Sequence, residues 1–331
     1  MLRSDDLIHL PYTSDLTPAG IAYACRSLPY TYNLMGSTAL DRLRRITAGK
    51  SVELAFRRFL DSQAVPYDTL GATPFTEPDR YDVSLGGRRC DIKSYLVSQK
   101  NKIRLLRNRP EVILQASALV PDDQLRSDHL VDTDLFIFAF VYGLTTPRQE
   151  DARCALDARQ PVYWIYPLPI HWSHPDRWMT MGPVTLKSSA SQPVILEVGG
   201  QNQRREYLSE VLTLPPSKAV RTQHDFYALA FIHAPHLPQA KIGIHCPVVT
   251  REPIIITSAM WGNIWVYGLE ILLTGYTTRA DFRQHAHLLP AASRVFQYTR
   301  TRVDNFTLPI SELQPLAGLF EQTRFWARHQ R

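Results

Sequence analysis

The stretch YDVSLGGRRCDIKSYLV, residues 81–97, constrains this chain more than any other. Apolar and polar residues alternate on both sides of Gly86-Gly87, the pattern of two antiparallel strands joined by a tight primed turn. A two-residue turn sets the register. Leu85 then faces Arg88, Ser84 faces Arg89, Val83 faces Cys90 and Asp82 faces Asp91. Because side chains alternate across a strand, Val83, Leu85, Cys90 and Ile92 share one face, while Asp82, Ser84, Arg89, Asp91 and Lys93 share the other. The first set suits a core. The second puts two carboxylates opposite each other.

Directly opposed residues in an antiparallel pair have Cβ atoms roughly 4.5 to 5.5 Å apart, and like charges at that spacing are destabilising. A divalent cation between Asp82 and Asp91 relieves the repulsion. Lys93, two residues beyond Asp91, points the same way and is placed to assist an attacking water or to stabilise charge on a phosphate. Magnesium suits such a site, since it binds a few carboxylates together with waters and phosphate oxygens.

The flanking sequence reads as helix, hairpin, helix, strand. Residues 17–28 form a helix opened by Thr17, with Pro18 in its first turn. Residues 37–62 are helical, with Leu40, Leu43, Val52, Phe56, Phe59 and Leu60 on one face and Gly49 a candidate break. EVILQASAL after the hairpin reads as a helix, and the apolar run at 135–144 as a buried central strand. This order, with Asp82, the short hairpin, Asp91-Ile92-Lys93 and the upstream GKSVELAFRRFL, resembles the PD-(D/E)xK nuclease superfamily over about residues 37–145. The resemblance implies a restriction-endonuclease-like fold and magnesium- or manganese-dependent cleavage of DNA. It also implies that Glu53 completes the metal shell of Asp82 and Asp91, and that Gln115 corresponds to a catalytic glutamine on the following helix. The literal Pro-Asp pair is Pro78-Asp79, but parity turns Asp79 away from Asp91, so Asp82 is taken as the ligand. A role in defence against foreign DNA or in mobile-element processing is an expectation of the resemblance alone.

Directly after the hairpin come Lys100, Lys102, Arg104, Arg107 and Arg109 with no intervening acid. Such a run supplies phosphate contacts without sequence information. The net charge of +6 and pI near 9.1 agree with a polyanionic partner without requiring one. Of the 331 residues 44% are hydrophobic and 21% charged, which excludes a disordered chain. Cys25, Cys90, Cys154 and Cys246 are widely spaced and contain no CxxC pair, so they read as reduced thiols. No signal sequence and no apolar run of roughly 20 residues is legible, which gives the expectation of a cytoplasmic protein without a membrane partner.

From about residue 150 prolines and short β-like runs recur. The expected class is therefore α/β: a mixed sheet flanked by helices in residues 1–149, then a β-rich lobe in 150–331 for substrate or partner recognition. In that lobe ADFRQHAHLL and a C-terminal segment opened by Ser311 read as helices. The pairs His171/His174 and His233/His236, with His245-Cys246, have zinc-like spacing, but prolines interrupt both regions and zinc is not expected. Trp164, Trp172, Trp178, Trp261 and Trp265 read as core. DNA is the expected partner, with a homo-oligomer or other proteins of a multi-component system left open. Alternatives are a non-catalytic nucleic-acid-binding or scaffold protein, a structure-selective resolvase, a transposon end nuclease, or RNA as substrate.

Overall fold

Strand Leu135–Leu144 is buried along its whole length, as its unbroken apolar sequence requires of a strand covered on both faces. It lies third in a mixed sheet ordered Ile8–Pro11, Tyr267–Thr278, Leu135–Leu144, Arg88–Val97, Val83–Leu85, with Gln314–Pro315 also paired to Tyr267–Thr278. Arg88–Val97 runs parallel to it, from Cys90 opposite Leu135 to Val97 opposite Tyr142. The computed structural model describes residues 1–31, 38–71, 81–127, 129–160 and 162–329.

The chain divides into two compact units that are not consecutive in sequence. One comprises Met1–Thr17, Ala48–Leu144 and Gly268–Arg331; the other comprises Pro18–Thr47 and Thr145–Tyr267. A single cut near Gln149 thus meets one of the divisions, at Leu144–Thr145. The last third of the expected β-rich lobe returns to supply a sheet strand to the first unit. Local pattern does not reveal this, because strand pairing across such a separation leaves no periodicity of its own.

In the first unit the helix Ala39–Ser62, from Ala48 onward, buries Ala48, Ser51, Val52, Ala55, Phe56 and Leu60. Gly49 does not break it. The C-terminal helix Leu316–His329 packs against the same face, with Phe320 5.8 Å from Phe59 and 6.4 Å from Phe56. Helix Arg279–His285, capped by Thr278 on the Asp281 N–H, sets Phe282 against Phe136 and Phe138. A second sheet joins His287–Leu289, Asn305–Pro309 and Ser117–Pro121.

Three local expectations are corrected. EVILQASAL is a 3-10 turn, Pro110–Gln115, followed by strand Ser117–Pro121. ADFRQHAHLL stops as a helix at His285 and continues as a strand. Ser311 lies in its own 3-10 turn, and the last helix begins at Leu316. In the first case the apolar run ILQASALV suits either a helix or a buried strand, and only the pairing of Leu119 with Thr307 selects the strand.

The second unit is built on two antiparallel sheets. One is ordered Gly262–Asn263, Trp164–Pro167, Ala228–Ala234, Val194–Gln201, Tyr207–Leu214, and the other Ala219–Arg221, Thr185–Ser188, Ile242–His245, Ile254–Ile256. Trp164, Trp172, Trp261 and Trp265 are buried in it, whereas Trp178 is half-buried. Cys25, Cys90 and Cys246 are buried, and all four cysteines are free thiols. Among the described residues no helix is long and apolar enough to cross a membrane.

Candidate active site

The hairpin turn has φ +57° at Gly86 and +79° at Gly87, the left-handed pair that a primed turn demands. Gly86 has a second reason to lack a side chain, since a Cβ there would lie 2.5 Å from the Trp326 ring. Leu85 pairs with Arg88, Ser84 with Arg89 and Val83 with Cys90. Val83, Leu85, Cys90 and Ile92 are buried, and Asp91 and Lys93 stand together on the other face. Ser84 is buried as well, because its backbone pairs on the outer side with Asp68.

One residue further the ladder stops. A continued register would set Asp82 opposite Asp91, but the Asp82 N–H donates to the Cys90 carbonyl at 3.0 Å, and its Oδ2 accepts the Ile92 N–H at 2.6 Å. The physical reason is an edge: beyond Val83 no strand residue remains to take the Ile92 N–H, and a buried amide needs an acceptor. Arg57, from the helix, holds the Asp82 carbonyl at 2.9 Å. Asp82 thus reaches the site by closing the end of the strand rather than from across it. Pro78 and Asp79 lie outside the described residues.

Burial pushes the Asp82 carboxyl well above the usual carboxylate range, and the negative charges of Glu53 and Asp91 push it further. The Ile92 N–H and Lys93 act in the opposite direction without prevailing. Glu53, largely shielded, pairs with Lys50 one helical turn earlier and lies 3.7 Å from Arg57. Lys93 donates to Asp91 Oδ2 at 2.6 Å and to Gln124 Oε1 at 2.5 Å, with its ammonium 5.7 Å from the centre of the Phe136 ring.

Gln115 is exposed at the end of a 3-10 turn, not on the helix expected for it. Gln124, in the short helix Asp122–Leu125, is the glutamine that accepts from Lys93. Sequence reasoning passed over it because the preceding strand was read as helix. The Lys50–Glu53 contact is an i,i+3 pair on one helix. Arg279 fixes the segment after Gln124 by donating to the Leu125 carbonyl at 2.8 and 3.1 Å, to the Ser127 carbonyl at 2.9 Å and to the Leu130 carbonyl.

Two carboxylates, Glu53 and Asp91, beside the buried Asp82 carboxyl are oxygen donors of the kind a hard divalent cation prefers. Among the described residues, however, no group of three or more His, Cys, Asp or Glu side chains closes on one point. Lys50 and Lys93 stand as counter-charges to Glu53 and Asp91. Carboxylate oxygens are the donor type a hard cation takes, but as placed they do not converge on one point, and Lys50 and Lys93 occupy two of them.

The basic run forms the helix Lys100–Asn108, which buries Ile103 and Leu106. Part of its charge is used internally: Lys102 donates to the Phe296 carbonyl at 2.5 Å, Arg107 pairs with Glu270 at 3.3 Å and Arg109 with Glu111 at 3.1 Å. Lys100 and Arg104 are exposed. In the second unit His171 and His174 are exposed, while His233 stacks on Tyr163 at 3.8 Å with its Nδ1 3.2 Å from Glu197. Cys246 donates its thiol to the Met181 carbonyl at 3.2 Å. No protein-family model, no curated protein and no solved structure matches this chain.

Proposed function

We propose that this protein is a restriction-endonuclease-like, divalent-metal-dependent DNA endonuclease of the PD-(D/E)xK type, acting through Asp82, Asp91 and Lys93. The observation that carries the reading is the placement of the Asp82 carboxyl, which accepts the Ile92 N–H at 2.6 Å between Asp91 and Lys93, themselves paired at 2.6 Å on one strand face. Asp82 and Asp91, with Glu53, are the residues that would hold Mg2+ or Mn2+, which when bound supplies an activated water and neutralises phosphate charge.

The chain's own groups have separable roles. Ile92 N–H fixes one oxygen of Asp82 and so orients the other. Lys93 presents an ammonium donor for a phosphate oxygen or the attacking water. Gln124 accepts a second hydrogen bond from that ammonium, making it a positioning residue. Lys50 offsets Glu53 in the helix. DNA is the partner in this reading. A cytoplasmic location, assembly with itself or with other proteins, and a part in defence against foreign DNA or in mobile-element processing belong to the same proposal.

A non-catalytic nucleic-acid-binding or scaffold role is the second reading, favoured by the lysine pairs that already neutralise two of the three carboxylates. Purified protein incubated with plasmid, linear, branched and single-stranded DNA, in magnesium or in chelator, separates the two. Cleavage in magnesium that stops in chelator is expected, and a preference for branched DNA would narrow the enzyme to a resolvase. Binding with no cleavage of any substrate in magnesium or manganese would leave the second reading.

A further inference from the structure

Between strands His287–Leu289 and Asn305–Pro309 the chain makes an excursion, residues 290–304, with the sequence PAASRVFQYTRTRVD. It carries Arg294, Arg300 and Arg302, all exposed. Its one acid, Asp304, accepts the Ala291 N–H through Oδ1 at 2.7 Å.

The excursion is ordered by polar contacts that a casual surface loop lacks. Thr301 is buried; its N–H donates to the Ser293 carbonyl at 2.8 Å, its carbonyl accepts the Ala292 N–H at 2.8 Å, and its hydroxyl donates to the Pro290 carbonyl at 3.1 Å. Gln297 is buried too and donates to the Ser117 carbonyl at 2.7 Å. Lys102 donates to the Phe296 carbonyl and lies over the ring of the same residue, so the basic helix bolts the excursion down. Burial lowers the proton affinity of that ammonium, as expected of a lysine serving an internal contact.

Its position relates it to the candidate active site. Tyr298 packs edge-on against Tyr95 at 6.1 Å. Tyr95 follows Lys93 by two residues on Arg88–Val97, and so lies on the same face, roughly 7 Å along the strand. On the other flank Arg126, two residues beyond Gln124, lies over the Phe306 ring at 5.6 Å, where the chain leaves the excursion. A loop with three exposed arginines is therefore tied, through Tyr298 and the residues that follow it, to the strand that carries Lys93 and the segment that carries Gln124. Arginines held on a fixed backbone suit phosphates, which they bind with forked donors at little cost in ordering.

We propose that the 290–304 excursion is a backbone-reading element for duplex DNA, in which Arg294, Arg300 and Arg302 contact phosphates next to the Asp82–Asp91–Lys93 site. The choice of DNA as the polyanion rests on the nuclease reading. Lys102 in this arrangement is an anchor of the loop rather than a phosphate ligand.

The test is binding of a short DNA duplex of fixed length, in chelator, across a salt series. It compares wild type, Arg294→Ala/Arg300→Ala/Arg302→Ala, the corresponding triple Lys variant, and a control losing Lys218, Arg221 and Arg251 from the second unit. The excursion triple Ala variant should bind more weakly, with a log–log salt slope shallower by about 2 to 3, as lost phosphate contacts require. The Lys variant should keep most of the slope, and the control should resemble wild type. An unchanged slope in the triple Ala variant, an equal loss in the control, or no duplex binding by wild type would each overturn the proposal. Cleavage by wild type in magnesium is scored separately. Lost slope without cleavage would sink the nuclease reading alone, and cleavage with an unchanged slope would sink the excursion alone.

Discussion

Each unit shields a carboxylate among polar neighbours, and the two respond in opposite ways. Asp82 in the first unit is pushed up by burial and by Glu53 and Asp91. For Glu197 in the second unit burial also acts upward, but hydrogen bonds from His233, Ser209 and Tyr207 prevail and leave it below its usual value. Burial alone therefore does not decide the charge state; the neighbours do. Glu197 is satisfied, with the His233 imidazole 3.2 Å away and itself stacked on Tyr163. Asp82 sits among like charges with one amide donor, a costly arrangement that a purely structural carboxylate has no reason to keep. The contrast marks the first unit as the place to look for chemistry.

The largest expected effect removes the reacting groups. Lys93→Ala and Asp91→Ala should each lower magnesium-dependent cleavage by at least about 100-fold, the usual scale for one lost electrostatic contact in an active site. Circular dichroism should show both folded, since their side chains lie off the apolar face. Wild-type rates in either variant would break the contrast, making the Asp82 cluster as structural as Glu197.

The next effect concerns stability and its dependence on pH. A raised folded-state pKa means that the folded protein keeps a proton which the unfolded chain has released. The Asp82 contribution therefore falls as pH rises from the unfolded value of about 3.9, and at neutral pH it opposes folding. Asp82→Asn keeps an acceptor for Ile92 N–H and removes the charge, so in chelator at neutral pH it should unfold at a higher denaturant concentration than wild type, the difference shrinking in acid. Magnesium should raise the melting temperature of wild type and not of this variant. Equal magnesium shifts in both would place the ion elsewhere.

Glu197→Gln should move the other way. A lowered folded-state pKa contributes stability that is present above the unfolded value, about 4.3, and lost as pH falls through the folded one. At neutral pH the variant should lose about 1 to 2 kcal/mol in denaturant melts, the scale of a charge-assisted hydrogen bond. The loss should shrink in acid. A variant as stable as wild type at every pH would show that Glu197 is not held by its donors.

The smallest effect sharpens the role of Gln124. Gln124→Ala should reduce the cleavage rate roughly tenfold while leaving the KM for DNA near its wild-type value, as expected for a group that only orients Lys93. Gln124→Glu should restore part of the lost rate, because its carboxylate also accepts from the ammonium. A change in KM alone would recast Gln124 as a substrate contact.

Much of the first unit was legible because its signals are local. Gly86-Gly87 fixed a turn, the turn fixed the register as far as Val83–Cys90, and alternation then separated Val83 and Ile92 from Asp91 and Lys93. The 135–144 strand was legible because no polar residue interrupts it. Glu53 came from the resemblance alone, and its pairing with Lys50 appeared only in the structure. The helix on which the resemblance placed Gln115 was misread, because its apolar run is in fact a 3-10 turn and a strand. Gln124 could not be found from local pattern, since its approach to Lys93 depends on Arg279, more than a hundred residues later, holding the carbonyls of Leu125 and Ser127.

The amino-acid sequence by itself determined the hairpin, its two faces, the buried central strand and the concentration of acid and lysine on one side, because each follows from periods of two or 3.6 residues and from the φ values that glycine permits. Tertiary structure decided what those residues do to one another. Asp82 caps the Ile92 N–H instead of facing Asp91 because its own strand ends at Val83. The final segment joins the first unit because its strand and helices complete a sheet and a core begun near the N-terminus. Lys102 is bound to the 290–304 excursion because the chain returns there to bury Gln297 and to pack Tyr298 against Tyr95. Each of these rests on a contact between residues distant in sequence, whose free energy depends on burial and on available partners, and no local pattern encodes either.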